Sequence, residues 1–258
     1  MKKFISRIYF FGNLSRERFN YYQEIIRDVE WSAVREYIPS GALFLDVGCG
    51  TGYSMKRAMK EKNCIAKGID PSPYLHGVKM THSNDRNAPE LDIVQGFAEK
   101  LPFADASFDV VYSSHVLEHA ANEGEMLNEI KRVLKEDGTL IIGMPTASIA
   151  IIRLITEYLF TTHQRIYDFI MKKSNSPFSY WQKFVHIFFP ISHSEGRGTI
   201  LYDLFHYRVS NWEKIVSAKF HIQKKLYPAF YPYPDFIQFF KICTLKKRSS
   251  SIFFICKK

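Results

Sequence analysis

An apolar run, Leu43-Phe44-Leu45-Asp46-Val47, leads without a break into Gly48-Cys49-Gly50-Thr51-Gly52. Glycines are needed where a backbone must come close to a ligand, and the free N–H groups that open a helix suit an anionic or strongly polar group. Asp70 follows roughly 20 residues later, where an acidic side chain at a strand end reaches ribose hydroxyls. The spacing separates cofactor classes. A dinucleotide fingerprint needs glycine at 48, 50 and 53, but position 53 is Tyr and the third glycine is Gly52. A nucleoside ligand without a pyrophosphate is favoured. No G-K-[ST] follows the glycines, which excludes a P-loop.

His115-Val116-Leu117-Glu118-His119 is the second arrangement that could do chemistry. An H-x-x-E-H pattern can hold zinc, but only with a further ligand and a long helix. Here it begins just past a strand end, so no metal is expected. The four cysteines, Cys49, Cys64, Cys243 and Cys256, form no C-x-x-C pair and read as reduced thiols. Cys49 reads as a small packing residue inside the glycine turn.

The elements that must position these residues are legible as apolar runs and helical periodicities. Strands are expected at Ala42–Val47, Cys64–Ile69, Leu91–Val94, Phe108–Tyr112 and Thr139–Met144. Between them lie helical patterns at Tyr53–Glu61, a looser one from Ser72 to Met80, and Gly124–Leu134. Ahead of them, Ser15 to Ile38 reads as an amphipathic helix stopped by Pro39-Ser40-Gly41. Strands alternating with helices argue for βαβ units and a parallel sheet covered on both faces. After Met144-Pro145 the rhythm gives way to long apolar-aromatic patterns read as an inserted helical segment. It resumes with Ser210 as a capping-box N-cap, paired with Glu213, for Asn211–Ala218. A strand near Phe220–Tyr227 and a last one at Ser251–Cys256 follow.

These segments resemble the class I S-adenosylmethionine-dependent methyltransferases, in the ubiquinone-biosynthesis-like (methyltransferase type 11) branch. Leu43–Gly52 is similar to the family's E/D-x-G-x-G-x-G motif, and Gly68–Ser72 to the end of its second strand. Gln95–Phe103 matches the loop after the third strand, Ser107–His119 the fourth strand and its turn, and Asn128–Leu140 the helix and turn before the fifth. The resemblance implies an α/β fold, a Rossmann-like doubly wound and mostly parallel sheet with an antiparallel C-terminal strand and a helical insertion after the fifth strand. The implied cofactor is S-adenosyl-L-methionine. Asp46 would hold its amino end or fix the turn, while Gly48, Cys49, Gly50 and Gly52 form the close approach. Asp70, with Pro71 beside it, would accept bonds from the ribose diol, and Phe97, Ala98 and Glu99 would flank the adenine. The family often has an acidic residue at the position of Phe97; a phenyl ring there stacks or packs instead. Ser114 and His115 would sit by the methionine end, and His115 is the candidate base if one is needed. His193, Glu195, His206 and Tyr207 are further candidates from the variable segment. The organisation read from this is an N-terminal helical segment (1–38), a cofactor-binding core (39–146), a substrate or lid insertion (147–209) and a C-terminal completion of the sheet (210–258).

The chain has 258 residues with 46% apolar and 24% charged side chains, ordinary values that exclude global disorder. Its net charge of +9 is unevenly placed. Residues 1–146 carry 18 basic and 20 acidic side chains, whereas 147–258 carry 17 basic and only 6 acidic. The second half also holds 24 of the 40 aromatic residues. The N-terminus is a poor signal peptide, and no uninterrupted apolar stretch is long enough to span a bilayer. A cytoplasmic protein, with peripheral contact at an anionic inner membrane surface, is the expectation. The absence of Asn-Pro-Pro-Tyr after the fourth strand argues against transfer to a nucleobase amine. The basic, aromatic insertion therefore reads as selecting a small-molecule or lipid-linked acceptor, methylated at oxygen or carbon, with nucleic acid less favoured. Two alternatives stand beside this: an RNA-binding protein or RNA methyltransferase, and a non-catalytic S-adenosylmethionine-binding protein. The oligomeric state is not legible.

Overall fold

Apolar runs bounded by glycine and polar turns become the strands of one seven-stranded sheet in a computed structural model of the chain. The structure describes residues 16–72, 91–170, 199–231 and 249–258, together with 181, 184, 185, 188, 189, 192 and 194. The Ser72–Met80 helical pattern, His193 and Glu195 fall outside these residues, apart from Ser72 itself.

In chain order the elements are α1 (Arg16–Val34) with a 3-10 turn (Arg35–Tyr37), β1 (Leu43–Val47), α2 (Tyr53–Lys62), β2 (Ile65–Asp70), β3 (Asp92–Gln95) and β4 (Phe108–Ser114). A second 3-10 turn (Leu117–His119), α3 (Glu123–Val133), β5 (Leu134–Pro145), α4 (Ala147–Ile170), α5 (Ile200–His206), α6 (Val209–Ser217), β6 (His221–Leu226) and β7 (Ser251–Lys257) follow. The sheet order is β3-β2-β1-β4-β5-β7-β6, and only β7 runs antiparallel to its neighbours. This is the doubly wound, mostly parallel sheet that alternating strands and helices imply.

The chain divides into two units. One comprises Arg27–Pro145, Val209–Pro228 and Ser251–Lys258 and contains the sheet. Its core is built by alternate strand residues: Phe44, Val110, Tyr112, Ile141 and Phe253 are buried, with Trp31 and Val34 from α1 and Met55 and Ala58 from α2 packed on them. Trp31, Phe44, Tyr112 and Phe253 form a chain of ring contacts 6.0–6.4 Å apart. Helix α3 buries Met126, Leu127, Ile130 and Val133, a stripe at helical spacing. Asn122 caps it, its side-chain oxygen accepting from the N–H groups of Gly124 and Glu125. The other unit comprises Met1–Ile26, Thr146–Arg208 and Ala229–Ser250. There α4 packs against α5, and the buried Asp203 accepts from Ser192 Oγ. No described helix is long and apolar enough to cross a membrane.

Three local expectations need correction. Helix α6 starts at Val209, so Ser210 lies within its first turn and is not the N-cap of a capping box. Strand β5 begins at Leu134 because Leu134 already pairs with Phe108. The register then shifts to Val110–Thr139, so residues 135–138 bulge out where a turn was expected. In α1 the buried stripe is Ile26, Glu30, Trp31 and Val34, with Val29 and Ala33 only half-buried. A glutamate occupies a position that periodicity reserves for an apolar side chain.

Candidate active site

The site lies at the C-terminal ends of β1, β2 and β4, where the sheet order reverses about β1 and a crevice opens in folds of this kind. Strand β1 delivers Asp46 and Val47 opposite Gly68 and Ile69 of β2 on one side, and Tyr112 and Ser113 of β4 on the other. The chain then turns sharply. Gly48, Gly50 and Gly52 all have positive φ (74°, 51° and 73°), a region that side chains disfavour. The N–H groups of Gly48 and Cys49 both donate to the Ile69 carbonyl, at 2.8 and 3.1 Å, tying the turn to the end of β2. A Cβ on Gly48 would collide with the Val116 side chain, and one on Gly52 with Leu91. The turn is therefore a close-walled cradle at Gly48 and Gly52, where a side chain fits only if Val116 or Leu91 moves.

Asp46 is buried, at 2% exposure. Burial above all, with the neighbouring Asp70 charge, pushes its carboxyl up to about 7, against the opposing pull of Arg27 and a hydrogen bond from Ser54. Its Oδ2 has no hydrogen-bond partner among the described residues. A buried unpartnered carboxylate oxygen is costly in isolation and is the natural acceptor for an ammonium group.

Asp70 is also buried. Its Oδ2 accepts the Gly50 N–H at 2.9 Å and its Oδ1 the Ser72 N–H at 2.8 Å. Each carboxylate oxygen can accept a second bond, so a vicinal diol can still be held. Beyond it, the Asp70 carbonyl accepts the Gly96 N–H at 3.1 Å, and the Pro71 carbonyl accepts from Gln95 Nε2 at 3.0 Å. These bonds bring the 97–99 loop to the same edge. Phe97 is 67% exposed, so its ring is free to stack and does not pack in the core. The Glu99 carboxylate accepts the Ala121 N–H at 2.7 Å, joining this loop to the segment after β4.

His115 closes the edge. It has φ +57°, unusual for a residue with a side chain, and its N–H donates to the Gly143 carbonyl at 2.9 Å. Its Nε2 lies 3.1 Å from Glu30 Oε1 and its Nδ1 3.4 Å from Glu118 Oε1. Burial alone would push the imidazole down, but Glu30 and then Glu118 outweigh it and raise the ring to about 10. Glu118, fully buried, is penalised by burial yet ends below the usual carboxylate range because His115 faces it. Burial also pushes the Cys49 thiol well above its ordinary range, in keeping with a packing residue.

The twelve residues singled out along the first half, from Asp46 to His115, thus meet along one edge of the sheet. Glu30, Arg27 and Ser54 also take part and carry no motif. The one available signal was Glu30 on the apolar face of α1. Among the candidates of the second half, Tyr207 is buried with its hydroxyl 2.7 Å from Ser194 Oγ, and His206 stacks on Tyr202.

The residues fit S-adenosylmethionine. Asp46 Oδ2 suits its amino group, the glycine cradle admits its methionine portion, Asp70 suits the ribose hydroxyls and Phe97 the adenine face. Comparison with known proteins agrees. Residues 45–142 match the family model described as "Methyltransferase domain". A tRNA U34 carboxymethyltransferase of Aeromonas hydrophila subsp. hydrophila is 36% identical over 121 residues, covering 45% of this chain and 36% of that protein. The uncharacterized protein MJ1123 of Methanocaldococcus jannaschii is 38% identical over 121 residues, covering 47% and 53%. The chain thus spans about a third to a half of the length of these curated relatives. Two solved structures share the fold. A SAM-dependent methyltransferase of Thermotoga maritima, described as a possible histamine N-methyltransferase, aligns with TM-score 0.56 at 17% identity over 94% of this chain and 93% of that one. An S-adenosylmethionine-dependent methyltransferase of Mesorhizobium loti aligns with TM-score 0.54 at 16% identity over 89% and 98%. The relatives named for tRNA overturn one expectation, that of a small-molecule or lipid-linked acceptor with nucleic acid less favoured. That expectation leaned on a missing nucleobase-amine motif, which bears on one kind of acceptor atom and not on RNA in general. Residues 45–142 therefore carry a methyltransferase domain, on a fold shared with S-adenosylmethionine-dependent methyltransferases.

Proposed function

We propose that this protein is an S-adenosylmethionine-dependent methyltransferase whose acceptor is RNA. The observation that carries the cofactor reading is the buried Asp46 Oδ2, without a hydrogen-bond partner among the described residues, two residues before the tightly packed Gly48. The names of the tRNA-acting relatives carry the acceptor reading. The charge distribution supports it, since an excess of 17 basic over 6 acidic residues in 147–258 suits a phosphate backbone. So do exposed aromatic side chains: Trp181, 70% exposed, stacks on Phe184 at 5.6 Å, and the Arg208 guanidinium lies 4.7 Å over the exposed Phe205 ring. Bases stack on such rings with little regard to sequence.

The cofactor supplies a methyl group on a sulfonium, a good leaving group, so the chain's own task is mainly alignment. Asp46 and Asp70 fix the two polar ends of the ligand, and the glycine turn brings backbone against it. The His115 ring lies between the Glu30 and Glu118 carboxylates, whose charges favour its protonated form, which suits a residue that orients the turn after β4 better than a base. Calorimetry with S-adenosylmethionine, followed by transfer of labelled methyl to a tRNA pool, tests the proposal. Mass spectrometry of the digested nucleosides identifies which nucleoside carries the added methyl group. Binding without transfer to any RNA contradicts the acceptor reading; no binding at millimolar ligand contradicts the cofactor reading.

A further inference from the structure

Glu30 is a buried carboxylate on the apolar face of α1. It is 2% exposed on α1, among the buried Ile26, Trp31 and Val34, where an apolar side chain would be the stable choice. Its Oε1 accepts the Ser251 hydroxyl at 2.6 Å, from the first residue of β7, and faces His115 Nε2 at 3.1 Å. On the far side of the ring, Glu118 faces Nδ1 at 3.4 Å. The Nε2 contact is a hydrogen bond, whereas neither Glu118 oxygen has a hydrogen-bond partner among the described residues, so Glu118 acts on the ring through its charge. The residue so held has φ +57°, a conformation that persists only where the surroundings impose it.

We propose that Glu30 is a positioning residue, a clamp that reaches from α1 to the turn after β4 and fixes the His115 ring between two carboxylates. The proposal rests on the reading of this sheet edge as the transfer site. Its consequence is chemical. With Glu30 in place His115 is a fixed imidazolium, the turn carrying Ser114 is rigid, and any deprotonation of the acceptor is left to another group. Without Glu30 the ring loses its strongest electrostatic support and becomes a titrating imidazole near neutral pH. The ionisable groups facing this cluster are Glu30 of α1, Tyr112 of β4, and Glu118 and His119 of the 3-10 turn. Of these only the carboxylates favour the charged ring.

NMR titration of the His115 ring in the isotope-labelled full chain tests the clamp without reference to activity. In the wild type both ring nitrogens are expected to stay protonated through neutral pH, with deprotonation near 10. In Glu30→Gln the titration should move down by at least one pH unit, roughly tenfold in proton affinity. The pH profile of methyl transfer should acquire a new ionisation in the same range, and Glu30→Asp should restore part of the wild-type profile. A wild-type His115 that is neutral at pH 7 overturns the proposal, and so does a Glu30→Gln protein with an unchanged titration. The wild-type measurement decides even where Glu30→Gln does not fold. Calorimetry of the wild type with S-adenosylmethionine separates the two readings: failed cofactor binding with a protonated His115 rejects the transfer site and keeps the clamp.

Discussion

The Gly50 N–H donates to Asp70 Oδ2 at 2.9 Å, so the residue proposed to hold a ribose also fastens the glycine turn to the end of β2. Asp70→Ala should therefore weaken S-adenosylmethionine binding by roughly 10–100-fold and also lower stability by about 1–3 kcal/mol, through the orphaned Gly50 and Ser72 N–H groups. Asp70→Asn keeps an oxygen acceptor and should lose less of both. Calorimetry and urea unfolding check the pair, and an Asp70→Ala protein with wild-type affinity contradicts the ribose role.

Asp46 should set a stability–function conflict. Its carboxyl is raised from 3.8 to about 7 on folding, so the folded state binds this proton more tightly than the unfolded chain. The stability it contributes is complete below about 3.8 and is lost as pH rises through about 7. Asp46→Asn should flatten that dependence and stabilise the cofactor-free protein at pH 8 by about 1–3 kcal/mol. The same substitution should weaken cofactor binding, because an amide cannot pair with an ammonium as a charge. In the wild type, affinity should rise as pH increases through about 7. Thermal unfolding and calorimetry across pH measure both effects.

Two glycines separate backbone strain from steric fit. Gly41 has φ +76° with open space around it, whereas Gly48 has φ +74° against the Val116 side chain. Gly41→Ala should cost about 1–2 kcal/mol, the strain of a left-handed alanine alone. Gly48→Ala should cost more, about 2–4 kcal/mol, and should also impair cofactor binding. Equal losses at the two positions would contradict the close approach assigned to Gly48.

The sheet was legible because its strands are short apolar runs, whose burial needs no distant information. The glycine turn, Asp70 and the 97–99 loop were legible for the same reason, each being a local motif at a strand end. Glu30 was not. Its burial is decided by His115, 85 residues away, and Ser251, 221 residues away, so no local pattern marks it. The start of β5 at Leu134 was equally hidden, since pairing with Phe108 overrides the turn signal of Glu136-Asp137-Gly138. Ser210 shows the reverse error: a well-formed capping pattern was outcompeted when the helix started at Val209. Composition alone does not choose the acceptor, because a basic, aromatic segment suits lipid and nucleic acid alike.

RNA affinity should depend on the second half of the chain and not on the cofactor site. Trp181→Ala and Arg208→Ala should each weaken tRNA binding by about 1–3 kcal/mol, the scale of one stacked base or lost cation. S-Adenosylmethionine affinity should stay unchanged in both. Filter binding across salt should show a steep loss of affinity, as counterion release requires. A variant pair with wild-type RNA binding would remove these two side chains from the acceptor surface.

An RNA methyltransferase must deliver its methyl group to RNA. Incubating the protein with methyl-tritiated S-adenosylmethionine and a tRNA pool, with Asp70→Ala as the control, measures this directly. Label should enter the nuclease-sensitive fraction with the wild type and fall at least tenfold with the variant. Label that stays with the cofactor, or that enters RNA equally with both proteins, would contradict the assignment of an RNA acceptor to this site.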